Sequence, residues 1–147
     1  MRRGKTRTLG ATMEYAVSCQ YAHHDHTESV DLGSLESVGV LQEFDKFDWR
    51  KQAEEANRLQ KCAPTLSVED KPGKRLIWVS AYGESGKLMF VSECRFTQVK
   101  KTLFGLFEHE AIVDLHTNDF SLDMARRALW HFLNGAHDDL QALYAGA

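Results

Sequence analysis

The sequence is poor in cysteine and proline and has no long apolar run. Its three cysteines, Cys19, Cys62 and Cys94, are far apart and form no C-x-x-C motif, so we expect reduced thiols in a cytoplasm. No stretch approaches the ~18 apolar residues that span a bilayer, and no membrane partner is expected. With 147 residues, 43% of them hydrophobic and 27% charged, the chain is long enough to form one globular domain.

Positive charge is concentrated at the start of the chain. Four of the 18 bases lie in residues 1–12, which contain no acid, and the other 14 bases stand against 21 acids, so residues 13–147 have a net charge of −7. We predict a basic disordered tail over 1–12 and a single domain over 13–147. The basic start is not followed by the apolar segment of a signal peptide, so a cytoplasmic location is expected. Nucleic acid is not an expected partner, because an acidic body repels phosphates.

Acidic residues are most concentrated over residues 13–48, which contain eight acids and one base, Lys46. Such a block would attract a cationic protein and speed its association. The last three acids of the block, Glu43, Asp45 and Asp48, are predicted to be exposed and to bind this partner. The alternative hypothesis is a solvated surface that only keeps the protein soluble.

The sequence also lacks catalytic motifs. It has no G-x-S-x-G, no G-x-x-x-x-G-K-[ST] and no G-x-G-x-x-G, and its ten glycines are dispersed among predicted turns. We therefore assign no catalytic residue and no cofactor. The chain is interpreted as a protein other than an enzyme, with an enzyme kept as the open alternative.

Hydrophobic periodicity predicts an α+β fold. We expect strands at 15–21, 30–32, 65–69, 75–82, 88–96 and 110–116, and helices at 35–44, 49–59, 122–133 and from 137 onwards. Because strands and helices do not alternate one by one, the sheet should be mainly antiparallel, with about five strands and helices packed on one face. The predicted core consists of apolar residues on the inward faces of these elements: Val17, Trp49, Ala53, Leu66, Val68, Ile77, Trp78, Val79, Phe90, Val113, Leu129 and Phe132.

Several local signals refine this prediction. Asp48 and Ser121 precede helical stripes and are predicted N-caps. Gly39 is expected to break or distort the first helix. The run 71–74 has proline and glycine where a type II turn needs them. Residues 97–108 are predicted to form a loop, and its aromatic side chains must either pack against the rest of the protein or stay exposed for a contact.

Two further groups are candidates for protein contacts. Phe104 and Phe107 lie in the predicted loop, and their exposure would indicate a protein contact or a homodimer interface. Trp130 adjoins the apolar stripe of its helix but also neighbours Arg126 and Arg127, a combination that is common in binding hot spots. Another protein, basic in charge, or a second copy of the chain is thus the expected partner.

A histidine cluster supports an alternative hypothesis, a metal-binding protein or a metal-dependent hydrolase. In a strand, His24 and His26 would share one face and could bind zinc or iron. They would need further ligands, which the face formed by Glu110, Asp114 and His116 could supply if the two strands were adjacent. In the competing interpretation, His24 and His26 belong to a polar turn, and Glu110, Asp114 and His116 form the solvated face of an edge strand.

In its size, its acidic balance and its predicted element order from about Tyr15 to Tyr144, the chain resembles the small immunity proteins that neutralise bacterial polymorphic toxins. No short motif carries this resemblance, so it transfers no functional residue. It implies a cytoplasmic inhibitor that masks a cationic partner protein and catalyses nothing.

Overall fold

The structure, a computed structural model, describes residues 13–84 and 86–147, so the predicted tail over 1–12 lies outside the described residues. It contains one antiparallel sheet of six strands in the spatial order β2-β1-β3-β4-β5-β6, with four helices. In chain order the elements are β1 Tyr15–Gln20, β2 Val30–Leu35, α1 Ser37–Lys46, α2 Trp49–Leu59, β3 Thr65–Asp70, β4 Arg75–Glu84, β5 Lys87–Thr102, β6 Phe107–Phe120, α3 Leu122–Leu133 and α4 His137–Ala145. The predicted α+β fold is confirmed, with a slightly larger sheet.

The helices cover one face of this sheet. Along β1, β3 and β4, inward residues are buried and alternate with residues that are partly or fully exposed. Every predicted core residue is buried except Trp78 and Val113, which are half-buried. Trp78 points to the uncovered face of the sheet, the same face as the residues opposite it, Ser67 of β3 and Glu93 of β5. Among the described residues, no helix is long and apolar enough to cross a membrane.

Helix boundaries follow the capping signals. The side chains of Asp48 and Ser121 accept hydrogen bonds from the backbone N–H groups of Lys51 and Met124, which confirms both N-caps. The expectation for Gly39 is wrong, since α1 is continuous through it. A Cβ at position 39 would meet the Leu35 side chain at 3.4 Å, an ordinary contact distance, so the helix does not require glycine there.

The turn between β3 and β4 differs from the predicted type II turn. Gly73 does not adopt a positive φ, whereas Lys74 does, at 54°. A left-handed residue directly before the second strand suits the twist of a hairpin better than a type II turn. Glycine is still needed at 73, because an added Cβ would collide with the Asp70 carboxylate.

The predicted loop over 97–108 is the largest error in the prediction. β5 and β6 pair as far as Thr102 opposite Phe107, and only residues 103–106 form the turn. Since β4 begins at Arg75 and Leu76 is opposite Arg95, residues 97–112 extend beyond the rest of the sheet. We call this two-stranded projection the arm. Its aromatic side chains stay exposed, because the helices do not reach them: Phe104 is fully exposed and Phe107 is 58% exposed.

Candidate protein-binding surface

A cluster of aromatic rings supports the corner between α1 and α2. The rings of Phe47 and Trp49 stack at 4.1 Å, and Trp49 also meets Phe44 at 5.3 Å and Phe90 of β5 at 5.1 Å. The indole N–H of Trp49 donates to the carbonyl of Phe44, 3.0 Å away. These contacts fix the two-residue connection between the helices, and so hold Asp45 and Asp48 at the surface above a rigid apolar base.

A groove of about 420 Å³ opens beside this corner and leads to the start of α3. At its rim Arg126 and Asp45 form a two-pronged ion pair, with Nε–Oδ1 and Nη2–Oδ2 distances of 2.7 and 2.8 Å. The hydrogen bonds from Arg126 hold the pKa of the Asp45 carboxyl below its ordinary value. Both side chains remain nearly half exposed, so a partner can reach them. The groove is lined by Phe44, Asp45, Phe47, Asp48, Trp49, Arg50, Leu88, Leu122, Asp123 and Arg126.

Apolar side chains flank the ion pair along α3. Leu122, Arg126 and Trp130 follow one another at four-residue spacing and therefore share one side of the helix. Leu122 is 45% and Trp130 51% exposed. A large aromatic side chain in water beside a paired arginine is the composition of a binding hot spot.

The start of α1 completes this surface. α1 and α3 run in opposite directions, because Asp45 near the end of α1 pairs with Arg126 near the start of α3. At the other end of the helix pair, Tyr15 links the residues before α1 to the end of α3. It lies opposite Leu35 in the sheet, and its hydroxyl donates to the carbonyl of Leu133. The exposed Val38 is therefore at the same end of the helix pair as Trp130. We call the set Val38, Asp45, Asp48, Leu122, Arg126 and Trp130 the α1–α3 surface.

The structure brings together four of the eight predicted partner-binding residues, namely Asp45, Asp48, Arg126 and Trp130. Glu43 is less exposed than predicted, with 22% of its side chain accessible, and it pairs with Lys46 at 2.8 Å. It lies in a second groove of about 310 Å³ on the other side of Phe47. Arg127 pairs with Asp123 one turn earlier, at 2.7 Å.

Phe104 and Phe107 belong to a different part of the molecule. The groove beside α3 includes Leu88 near the start of β5, while Phe104 lies beyond the end of that strand. The 16 residues of β5 span roughly 50 Å at the usual rise of a strand. The arm and the α1–α3 surface are thus two separate candidate contacts.

The five residues of the predicted metal site do not meet. His24 lies in the segment between β1 and β2, where its Nδ1 accepts from the backbone N–H of Tyr21. Glu110, Asp114 and His116 share one face of β6, four strands away from β1 and so about 19 Å distant. Asp114 there pairs with Arg95 at 3.0 Å. Within residues 13–84 and 86–147, no three His, Cys, Asp or Glu side chains form a group that could hold a metal ion.

The surroundings of the three cysteines disfavour their thiolate forms. Burial raises the pKa of Cys19, Cys62 and Cys94, the last to about 12. A thiol with a raised pKa carries little thiolate near neutral pH and is therefore a weak nucleophile.

Two exposed residues of the α1–α3 surface, Val38 and Leu122, were not predicted from the sequence, and neither was the apolar groove wall formed by Phe47. Val38 and Leu122 belong to apolar stripes that predict burial. One signal was available for Leu122, because its four-residue spacing to Arg126 and Trp130 places it on their side of the helix.

Comparisons with protein-family models, with curated proteins and with solved structures find no match for this chain.

Proposed function

We propose that this protein is a non-enzymatic protein-binding module of the cytoplasm that captures a basic partner through its α1–α3 surface. The observation that carries the proposal is the exposed Trp130 and Leu122, one turn after and one turn before Arg126, which pairs with Asp45 at the rim of a groove with an aromatic base. An immunity-type inhibitor, which masks a toxic cationic protein, is the specific form of this function that we favour.

The apolar part of the surface supports the proposal through desolvation. A partner side chain that covers Trp130 removes its exposed half from water, and burying an aromatic side chain stabilises a complex by roughly 1.5–3 kcal/mol. The rigid base under the groove also limits the entropy that binding would cost, since its rings are already packed.

The charges support a basic partner. Asp48 is exposed at the groove and forms no ion pair with a described residue, because its side chain caps α2. The Asp45–Arg126 pair can exchange Arg126 for a cation of the partner. The exposed acids Asp25, Glu28, Asp31 and Glu36 extend the negative field towards β2 and would steer such a protein to the surface.

The proposal is tested by affinity capture of the full chain from native lysate at low salt, followed by reconstitution with the purified partner. We expect Trp130→Ala and Leu122→Ser each to weaken binding at least tenfold, as expected for hot-spot positions. Asp48→Lys should weaken binding at low salt and lose most of its effect at high salt, because screening reduces charge steering.

Glu69→Ala serves as the matched control. Glu69 is an exposed residue on the uncovered face of the sheet, away from all helices, and its replacement should leave capture unchanged. Wild-type affinity in Trp130→Ala, or a purified partner that is acidic and binds independently of salt, would contradict the proposal. If the captured protein is toxic when expressed alone and harmless with this chain, the immunity form is supported.

A further inference from the structure

The outer edge of β6 is a long strand edge. β6 is the last strand in the sheet order, and among the described residues it pairs only with β5. Its pairing with β5 runs without a register shift from Phe107 to Thr117. Backbone N–H and C=O groups along such an edge can pair with another strand. The opposite edge is different, because β2 has only six residues and its pairing with β1 contains an irregularity.

The arm next to this edge exposes an unusual amount of apolar surface. Six large apolar side chains of residues 97–112 are each more than half exposed: Val99, Leu103, Phe104, Leu106, Phe107 and Ile112. Together they present on the order of 800 Å² of accessible surface, which is about what one partner contributes to a standard interface. Val99 and Ile112 lie on the outward face of the arm, Phe107 on the inward face and the other three at the tip.

We propose that the arm and the edge of β6 form a homodimer interface, in which β6 of two copies pair antiparallel about a two-fold axis at Val113. The inference rests on other observations than the proposed function, namely the edge of β6 and the arm, and the two surfaces share only Leu122. The two sheets would become one sheet of twelve strands, with the helices of both copies on the same face.

The sequence of β6 is self-complementary in this register. With Val113 opposite itself, Ala111 of each copy lies opposite Leu115 of the other on the inward face. On the outward face Glu110 lies opposite His116 at both ends of the interface. A shift of the axis by one residue to Ile112 would set Glu110 against Asp114, and a shift to Asp114 would set two aspartates against each other. Like charges directly opposite each other destabilise a sheet, so Val113 is the favoured centre of the three.

The same register provides a contact for the tip of the arm. Counting from Val113, position 104 of one copy comes level with position 122 of the other, just after β6 ends. The fully exposed Phe104 would then lie near Leu122, a residue of the α1–α3 surface that is 45% exposed at the start of α3, so a second copy and the basic partner would compete for this residue. The interface thus covers apolar groups at both ends of each arm, which favours a second copy over an unrelated extended peptide.

Cysteine cross-linking tests the register. In a Cys62→Ser background, Val113→Cys should form a disulfide-linked dimer under mild oxidation, because opposed antiparallel residues have Cα atoms about 4.5–5.5 Å apart, within disulfide range. Ile112→Cys is the matched control. In this register its two copies are offset by two residues, about 8 Å apart, and should not be linked. Efficient linking of Ile112→Cys without Val113→Cys would overturn the register.

Sedimentation of the full chain over a range of concentrations tests the dimer without cysteine variants. The exposed pair Phe104→Ser with Leu106→Ser should weaken dimerisation roughly a hundredfold, since each buried side chain of this size contributes more than tenfold to association. Glu110→Lys should weaken it, and adding His116→Glu should restore it. A wild-type protein that is monomeric at 100 µM, or a dimer insensitive to both changes, would refute the proposal.

Discussion

Replacing Asp70 by alanine should be among the most destabilising single changes in this protein. Asp70 is 2% exposed at the end of β3, where it accepts from Arg75 Nε at 2.9 Å and from the backbone N–H of Gly73 at 3.0 Å. Arg75 in turn donates to the carbonyl of Phe132 at 2.9 Å, and its guanidinium lies 4.6 Å above that ring. This network joins the β3–β4 turn to the end of α3.

The expected loss is about 3–5 kcal/mol, because removing one partner of a buried ion pair leaves the other charge uncompensated. The Arg75 side chain is only 10% exposed, so water can solvate it poorly after the change. For a chain of this length, with a total stability of roughly 7–22 kcal/mol, this is a large fraction, and the melting temperature should fall by about 6–20 °C.

Urea unfolding followed by tryptophan fluorescence measures this loss, with Asp114→Ala as the control. The Arg95–Asp114 pair has a similar distance, 3.0 Å, but its side chains are about half exposed. It should contribute less than about 1 kcal/mol. If Asp70→Ala loses no more stability than Asp114→Ala, with equal m-values, the assigned role of the buried network is refuted.

Two pH effects follow from titratable groups, the buried Cys94 and the partly buried His137. Burial raises the pKa of Cys94 to about 12, so above its ordinary value of 9.0 the unfolded state loses a proton that the folded state keeps. The free energy of unfolding should therefore fall by about 1.4 kcal/mol per pH unit from this thiol above pH 9, and Cys94→Ala should remove that slope. The pKa of His137 is lowered, first by burial and then by the positive charge of Arg75, while the negative charge of Asp138 acts to raise it. The His137 ring stacks on Phe96 at 4.0 Å. Below pH 6.5 the unfolded state binds a proton at this histidine that the folded state does not, so stability should decline as the pH falls, and His137→Phe should reduce this decline in urea unfolding experiments. An unchanged pH dependence in Cys94→Ala or in His137→Phe would contradict the role assigned to that residue.

Most of the fold could be predicted from periodicity and capping signals. The alternation over Leu66, Val68, Ile77 and Val79 determined which strand faces are inward, and each of these residues is buried. Asp48 and Ser121 marked the starts of two helices because side-chain oxygens there satisfy free backbone N–H groups. These signals involve residues that are close together in the chain, so they can be recognised without knowledge of the tertiary structure.

The arm could not be predicted in this way. Residues 97–108 combine two lysines with apolar side chains around Gly105, and this composition predicted a loop in which Phe104 and Phe107 were candidate contacts only if exposed. Whether a strand continues past the edge of its sheet depends on the length of its neighbours. β4 begins opposite the middle of β5, and this is a property of the pairing register rather than of the residues in the arm.

The candidate site shows the same division. The types of residue in the α1–α3 surface were visible in the sequence, but the pairing of Asp45 with Arg126 joins residues 81 positions apart. Conversely, His26 and His116 are both residue types that bind metals, but the strand order places β6, which contains His116, four strands away from β1, which His26 follows.

The sequence by itself determined the α+β class, the inward faces of the strands, the helix starts and an acidic body with a basic beginning. Each of these depends on spacing or charge that is local along the chain. Only the tertiary structure decided the order of the strands, the exposed arm with its free edge, and the groove that unites Asp45, Leu122 and Arg126 one helical turn from the exposed Trp130. The physical reason is that long-range contacts depend on which elements pack together, and identical local patterns are compatible with several such arrangements.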